Sequence, residues 1–171
     1  MADPRRFEQV ALPHLNAAYN LARWLLRNDH DAEDAVQEAC LRALKYIDNY
    51  RGENPRAWLL AIVRNACFDR MRGGTGAAVL DEDALEVVDA APDPETHLIQ
   101  TRDAALLNQL IEGLPPDFRA VLVLREMEEL SYQEIAQVMS IPIGTVMSRL
   151  SRARGLLQTS WRRQKEGAHG V

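Results

Sequence analysis

The stretch Leu130 to Leu157, LSYQEIAQVMSIPIGTVMSRLSRARGLL, decides the fold, because it spells two short helices separated by a tight turn. Ser131 with Glu134 three residues on is a capping box, in which the serine oxygen accepts from the Glu134 backbone N–H and the glutamate accepts from the serine N–H. Ile135, Val138 and Met139 recur behind it at helical spacing. Ser140-Ile141-Pro142-Ile143-Gly144 then interrupts, with a proline suited to the first turn of a new helix. In that second helix Val146, Leu150, Ala153 and Leu157 make one apolar stripe, and Thr145, Ser148, Arg149 and Arg152 hold the polar side. Hydroxyls and arginines so arranged suit a major groove, where arginine bridges guanine edges and serine or threonine reaches bases or phosphates.

The same arginines would also suit an ordinary solvated face. Charge segregation favours nucleic acid: from Ile135 to Lys165 the charged residues are Arg149, Arg152, Arg154, Arg162, Arg163 and Lys165, with no acid among them. A one-signed run on such a helix is an electrostatic footprint.

Outward from this motif, the chain of 171 residues is 47% hydrophobic, enough for one large packed domain or two small ones. No apolar run approaches the roughly 20 residues that cross a bilayer, and the start, MADPRRFEQV, lacks a signal-peptide core, so no membrane insertion and a cytoplasmic location are expected. Cys40 and Cys67 sit in apolar helical patterns, outside any CxxC pair, so no metal site is expected. His14, His30, His97 and His169 are scattered without catalytic or ligand spacing, which argues against an enzyme, and no cofactor is implied.

The formal charge of −5 is at odds with phosphate binding until its distribution is considered. Asp81, Glu82, Asp83, Glu86, Asp89, Asp93 and Glu95 lie together between Gly76 and Thr101, with no Lys or Arg; without those seven acids the charge becomes +2. Gly73-Gly74-Thr75-Gly76 opens this segment and Pro92-Asp93-Pro94 closes it, so residues 73–97 read as a flexible acidic linker. GGTG lacks the lysine and spacing of a phosphate-binding loop. Near-neutral modules on either side imply weak DNA binding by the chain alone and dependence on a larger partner.

No alternating strand pattern appears, so the fold expected is all-α, with two small helical domains. In the first, Phe7 to Arg27 is helical and bent or divided at Pro13. A second helix is expected to begin at Asp31 as N-cap and to bury Val36, Ala39, Cys40, Ala43, Leu44 and Ile47. A loop from Asp48 to Asn54 precedes a third helix from Pro55 to about Arg72. The second domain holds a helix from about Glu95 to Glu112, another from Asp117 to Met127, and the helix-turn-helix.

Two strings, DAEDAVQEACLRAL (Asp31 to Leu44) and GLPPDFRAVLVLREMEELSYQEIAQVMSIPIGTVMSRLSRAR (Gly113 to Arg154), make the chain resemble the extracytoplasmic-function sigma factors of bacterial RNA polymerase. The resemblance covers roughly Phe7 to Trp161. It implies a sigma domain 2 at residues 1–72 for polymerase docking and minus-10 melting, the linker at 73–97, a sigma domain 4 at 98–165 for minus-35 recognition, and a disordered tail at 166–171. The implied partners are core RNA polymerase and promoter DNA, duplex at minus-35 and single-stranded at minus-10. Many members are held by an anti-sigma protein, and no residue here identifies one.

The resemblance also assigns sites. Asp34, Gln37, Glu38 and Leu41 would dock on the polymerase, although Glu38 and Arg42 could equally be an i, i+4 pair on a solvated face. Tyr50, Arg51, Asn54, Arg56, Arg64 and Asn65 would serve minus-10 DNA, with Asn65 at the pocket for a flipped base. Independently, Lys45 to Arg72 interleaves cations and aromatic rings, a composition suited to single strands, and Trp58 reads better as core than as a stacking platform. Ser148, Arg149, Ser151 and Arg152 would meet minus-35 bases, with Thr145 near the backbone and Met147 where family members often carry a basic residue. A linker of about 25 residues spans at most about 80 to 90 Å, beyond the roughly 70 Å of two duplex turns. The rival reading is a repressor or activator that binds duplex DNA unaided.

Overall fold

The computed structural model describes residues 3–75 and 101–169, and every regular element among them is a helix. In chain order these are α1 (Pro4–Ala11), a 3-10 turn at Leu12–His14, α2 (Leu15–Leu26), α3 (Asp29–Tyr46), a 3-10 turn at Ile47–Asn49 and α4 (Pro55–Thr75); then α5 (Thr101–Glu112), α6 (Pro116–Glu126), α7 (Tyr132–Met139) and α8 (Ile143–His169). α4 runs on through Gly73, Gly74 and Thr75, three residues into the expected linker at 73–97, and the rest of that segment lies outside the described residues.

Local chemistry sets the boundaries. Pro13 divides the first helical stretch, its missing N–H absorbed by the 3-10 turn between α1 and α2. Arg27 ends α2 in the left-handed region at φ 59°. The cap of α3 differs from expectation: Asn28, not Asp31, is the N-cap, and its side-chain oxygen accepts from the Asp31 N–H at 3.0 Å. Asp29 and Asp31 thereby fall within the first turn, where their charge favours the helix dipole. Asn54 Oδ1 accepts from the Ala57 N–H at 3.0 Å and so starts α4.

The buried stripe of α3 also differs. Ala32, Ala35, Ala39, Ala43 and Ile47 are fully buried, whereas Val36, Cys40 and Leu44 are only half-buried. Alanines let α2, α3 and α4 approach closely into a three-helix layer, and the larger residues rim a groove instead. In the second unit α6 is the hub: Phe118, Ala120, Val121, Val123 and Leu124 are fully buried, and α8 packs along it. The two units are joined. α2 lies on α6, α4 lies on α7, and one continuous apolar cluster runs through both.

Candidate nucleic-acid and partner interfaces

The helix-turn-helix is α7 and the start of α8. Its capping box is complete: Ser131 Oγ accepts from the Glu134 N–H at 3.1 Å, and Glu134 Oε1 accepts from the Ser131 N–H at 2.9 Å. That backbone bond, followed by side-chain bonds from Asn54, Arg56 and Ser131, holds the Glu134 carboxyl down at about 2. Ser140 closes α7 with φ 56°, and the Pro142 carbonyl accepts from Thr145 and Val146 to begin α8. Val146, Leu150 and Ala153 face the core, while Met147, Ser148 and Ser151 are exposed. The Ser148 hydroxyl donates to the Thr145 carbonyl at 3.1 Å. Thr145 and Arg152 are half-buried. α8 continues past the expected end, so residues 166–169 extend the helix instead of forming a tail.

The basic run on α8 is partly neutralised by neighbours that sequence order does not reveal. Arg149 lies 3.7 Å from Asp117 of α6 with its side chain 15% exposed, Arg154 pairs with Glu126 at 2.8 Å, and Lys165 pairs with Asp103 of α5. Arg149 and Arg154 are thereby held by carboxylates of α6.

On α3, Leu41 is 69% exposed and Gln37 is also exposed. Both border an open apolar groove of about 660 Å³ lined by Phe7, Leu15, Tyr19, Val36 and Cys40. Asp34 and Glu38 have partners: Asp34 meets Arg70 at 3.3 Å and His30 at 3.7 Å, and Glu38 meets Arg42 at 2.7 Å, which in turn holds Asp69 at 3.2 Å. The i, i+4 pair that the sequence allowed is therefore present beside the apolar contact.

The loop before α4 and its first turns divide into two kinds of residue. Tyr50 is buried, its ring 4.9 Å from that of Trp58 and tilted by 42°, so both rings pack together and neither is a free platform. Arg51 and Asn65 are exposed. Arg64 is half-buried, lies 4.3 Å over the Phe68 ring and donates to Asn65 Oδ1 at 2.9 Å, holding the amide in one orientation. Asn54 and Arg56 point toward the second unit: Asn54 Nδ2 donates to Glu134 Oε2 at 3.0 Å, and Arg56 donates to the same oxygen at 3.3 Å and to the Glu128 carbonyl at 3.4 Å.

One residue that sequence reasoning did not single out holds the units together. Arg119, 3% exposed, donates to the carbonyls of Trp24 and Leu25 at 3.0 and 2.9 Å, and to Leu114 at 3.2 Å. Burial pulls its pKa down to about 10, so it remains a cation at neutral pH. An arginine within the apolar run FRAVLVL was the available signal.

Residues 11–75 match the model for sigma-70 region 2, and residues 104–157 match that for sigma-70 region 4. The RNA polymerase sigma-H factor of Pseudomonas aeruginosa is 35% identical, over 89% of this chain and 84% of its own length. The chain belongs to the extracytoplasmic-function sigma factors of bacterial RNA polymerase. The sigma factor SigW of Bacillus subtilis is 31% identical over 94% of this chain and 91% of its own, while SigE of Mycolicibacterium smegmatis, 36% identical, is spanned over only 60% of its length. Among solved structures, the sigma factor RpoE of Bartonella quintana, in complex with the anti-sigma factor NepR, superposes with a TM-score of 0.69 at 30% identity, covering 91% of this chain and 96% of that one. CnrH, in complex with the cytosolic domain of CnrY, shares the fold with a TM-score of 0.66 at 24% identity, over 94% of this chain and 90% of that one. As a member of this sigma-factor family the chain is a transcription initiation factor, whose family-level partners are core RNA polymerase and promoter DNA. Among the described residues no helix is long and apolar enough to cross a membrane.

Proposed function

We propose that this sigma factor divides its work between the two units: residues 1–72 dock on core polymerase and open minus-10 DNA, and residues 98–165 read the minus-35 duplex. The observation that carries the reading is the polar face of α8 behind a complete capping box, with Ser148 and Ser151 exposed beside the half-buried Thr145, Arg149 and Arg152, set on the same chain as a cationic, asparagine-bearing loop and helix. Leu41 and Gln37 supply the docking contact along the α3 groove, flanked by Asp34 and Glu38. Arg51, Asn54, Arg56, Arg64 and Asn65 follow the unpaired strand, and Tyr50 supports the loop from beneath. Thr145, Ser148, Arg149, Ser151 and Arg152 meet the upstream element, with Met147 offering a methyl surface in place of a cation. The chain has no catalytic role of its own, works in the cytoplasm with the polymerase, and accepts an anti-sigma partner as the Bartonella relative does.

In vitro transcription with core polymerase over a promoter library tests this directly. Promoter-specific transcripts that require this chain are expected. Tight, specific duplex binding by the free chain, without polymerase-dependent initiation, would replace this reading with that of an autonomous repressor or activator.

A further inference from the structure

We propose that Ile143 and Met147, an apolar ridge along one edge of the reading face of α8, sit against thymine 5-methyl groups of the minus-35 duplex and bias its sequence toward thymine at one or two neighbouring positions. The inference rests on the minus-35 assignment of α8 made above and names a base which that assignment leaves open.

Exposure singles out the two side chains. Ile143 is 43% exposed and Met147 54%, and neither joins the apolar cluster that Val146, Leu150 and Ala153 enter from the same helix. Exposed apolar side chains are ordinary when scattered, but a spacing of four residues stands these two one above the other on the helix. Exposed Ser151 continues their row at the next turn, and Gly144, Ser148 and Arg152 make the neighbouring polar row. A methyl group added at Gly144 would meet nothing of the chain within 4 Å, so the first turn of this face is bare to an approaching groove wall.

Chemistry then selects the ligand. The ridge lies in the segment from Ile135 to Lys165 that carries cations and no acid, a setting that draws in the phosphate backbone. Within a major groove the thymine methyl is the one apolar group a base pair displays; the other features are hydrogen-bond donors or acceptors. Isoleucine has no polar side-chain atom and the methionine thioether is at most a weak acceptor, so neither reads a guanine or cytosine edge.

Removing the methyl alone tests this. Holoenzyme assembled from core polymerase and the full-length chain is measured by fluorescence anisotropy on its preferred promoter duplex. It is measured again on duplexes in which each minus-35 thymine of either strand is replaced in turn by deoxyuridine, which keeps every hydrogen bond. At one or two neighbouring positions a roughly three- to fivefold loss of affinity is expected, the scale of one buried methyl group. In Met147→Ala or Ile143→Ala, checked for wild-type melting by circular dichroism, the same replacement should cost little, a coupling read as a double-mutant cycle. No uracil effect at any position, or an effect that both variants retain in full, overturns the inference, as does a preferred minus-35 element without an A·T pair. Weaker binding of core polymerase itself by either variant, with no response to uracil, gives the ridge to a protein contact and overturns it too. Holoenzyme that ignores the minus-35 sequence altogether overturns the underlying assignment together with the inference.

Discussion

Glu134 serves two structures at once, and its acidity records both. Its folded pKa of about 2 lies below the ordinary 4.5, so the group stabilises the fold above about pH 4.5 and loses that contribution as pH falls through about 2. Urea denaturation at pH 5 and at pH 2.5 should show wild type losing more stability than Glu134→Gln, because only the wild type carries this titration; equal losses would refute it. Ser131→Ala removes the reciprocal acceptor of the box and should cost about 1 kcal/mol, read as a melting point lower by a few degrees. The cysteines divide by burial. Cys67 is fully buried and its thiol is pushed up to about 12, whereas Cys40 is half-buried at the rim of the α3 groove. A thiol reagent at neutral pH should therefore modify Cys40 while Cys67 stays unreacted until the protein unfolds; modification of Cys67 at the same rate as Cys40 would contradict this.

At the scale of elements, helix ends written in local chemistry were legible and partner surfaces were only half so. The capping box, the proline break at Pro13 and the proline start of α4 follow from residues within a turn of each other. Asn28 took the cap of α3 from Asp31 because three residues able to cap, Asn28, Asp29 and Asp31, lay within one turn, and the chain path out of α2 decides among them. Val36, Cys40 and Leu44 read as core because periodicity marks an apolar face without saying what meets it; close helix approach through alanines left them at a groove. The same limit hid the acids beside α8, since Asp117, Glu126 and Asp103 come from other helices. Leu41→Glu places a charge on a side chain that is 69% exposed, so melting should be unchanged while affinity for core polymerase falls at least about tenfold, as measured by fluorescence anisotropy. Arg149→Ala should cost about 1 to 3 kcal/mol of promoter affinity and relax preference at one minus-35 position; uniform weakening across the promoter library would mean a phosphate contact instead.

For the whole molecule, the sequence indicated two units with a charged connection, and the structure adds that the units share a core. An arginine buried in α6 is the reason this was hard to read: its partners, the carbonyls of Trp24 and Leu25, are backbone groups that any residue would present. Removing it leaves those carbonyls without these donors in the joined form but free to meet water when the units part, so Arg119→Met acts chiefly on the junction, by about 2 kcal/mol or more. Tryptophan positions make the coupling measurable, because Trp24 and Trp58 belong to the first unit and Trp161 to the second. A Trp161→Phe chain reports the first unit by fluorescence, and a Trp24→Phe, Trp58→Phe chain reports the second. In the native background the two urea transitions should coincide, as expected of one cooperative structure with a continuous apolar cluster. Adding Arg119→Met to each reporter should separate the midpoints, because each unit then unfolds with its own stability. Separate midpoints before that substitution would show that the units unfold independently despite the shared core.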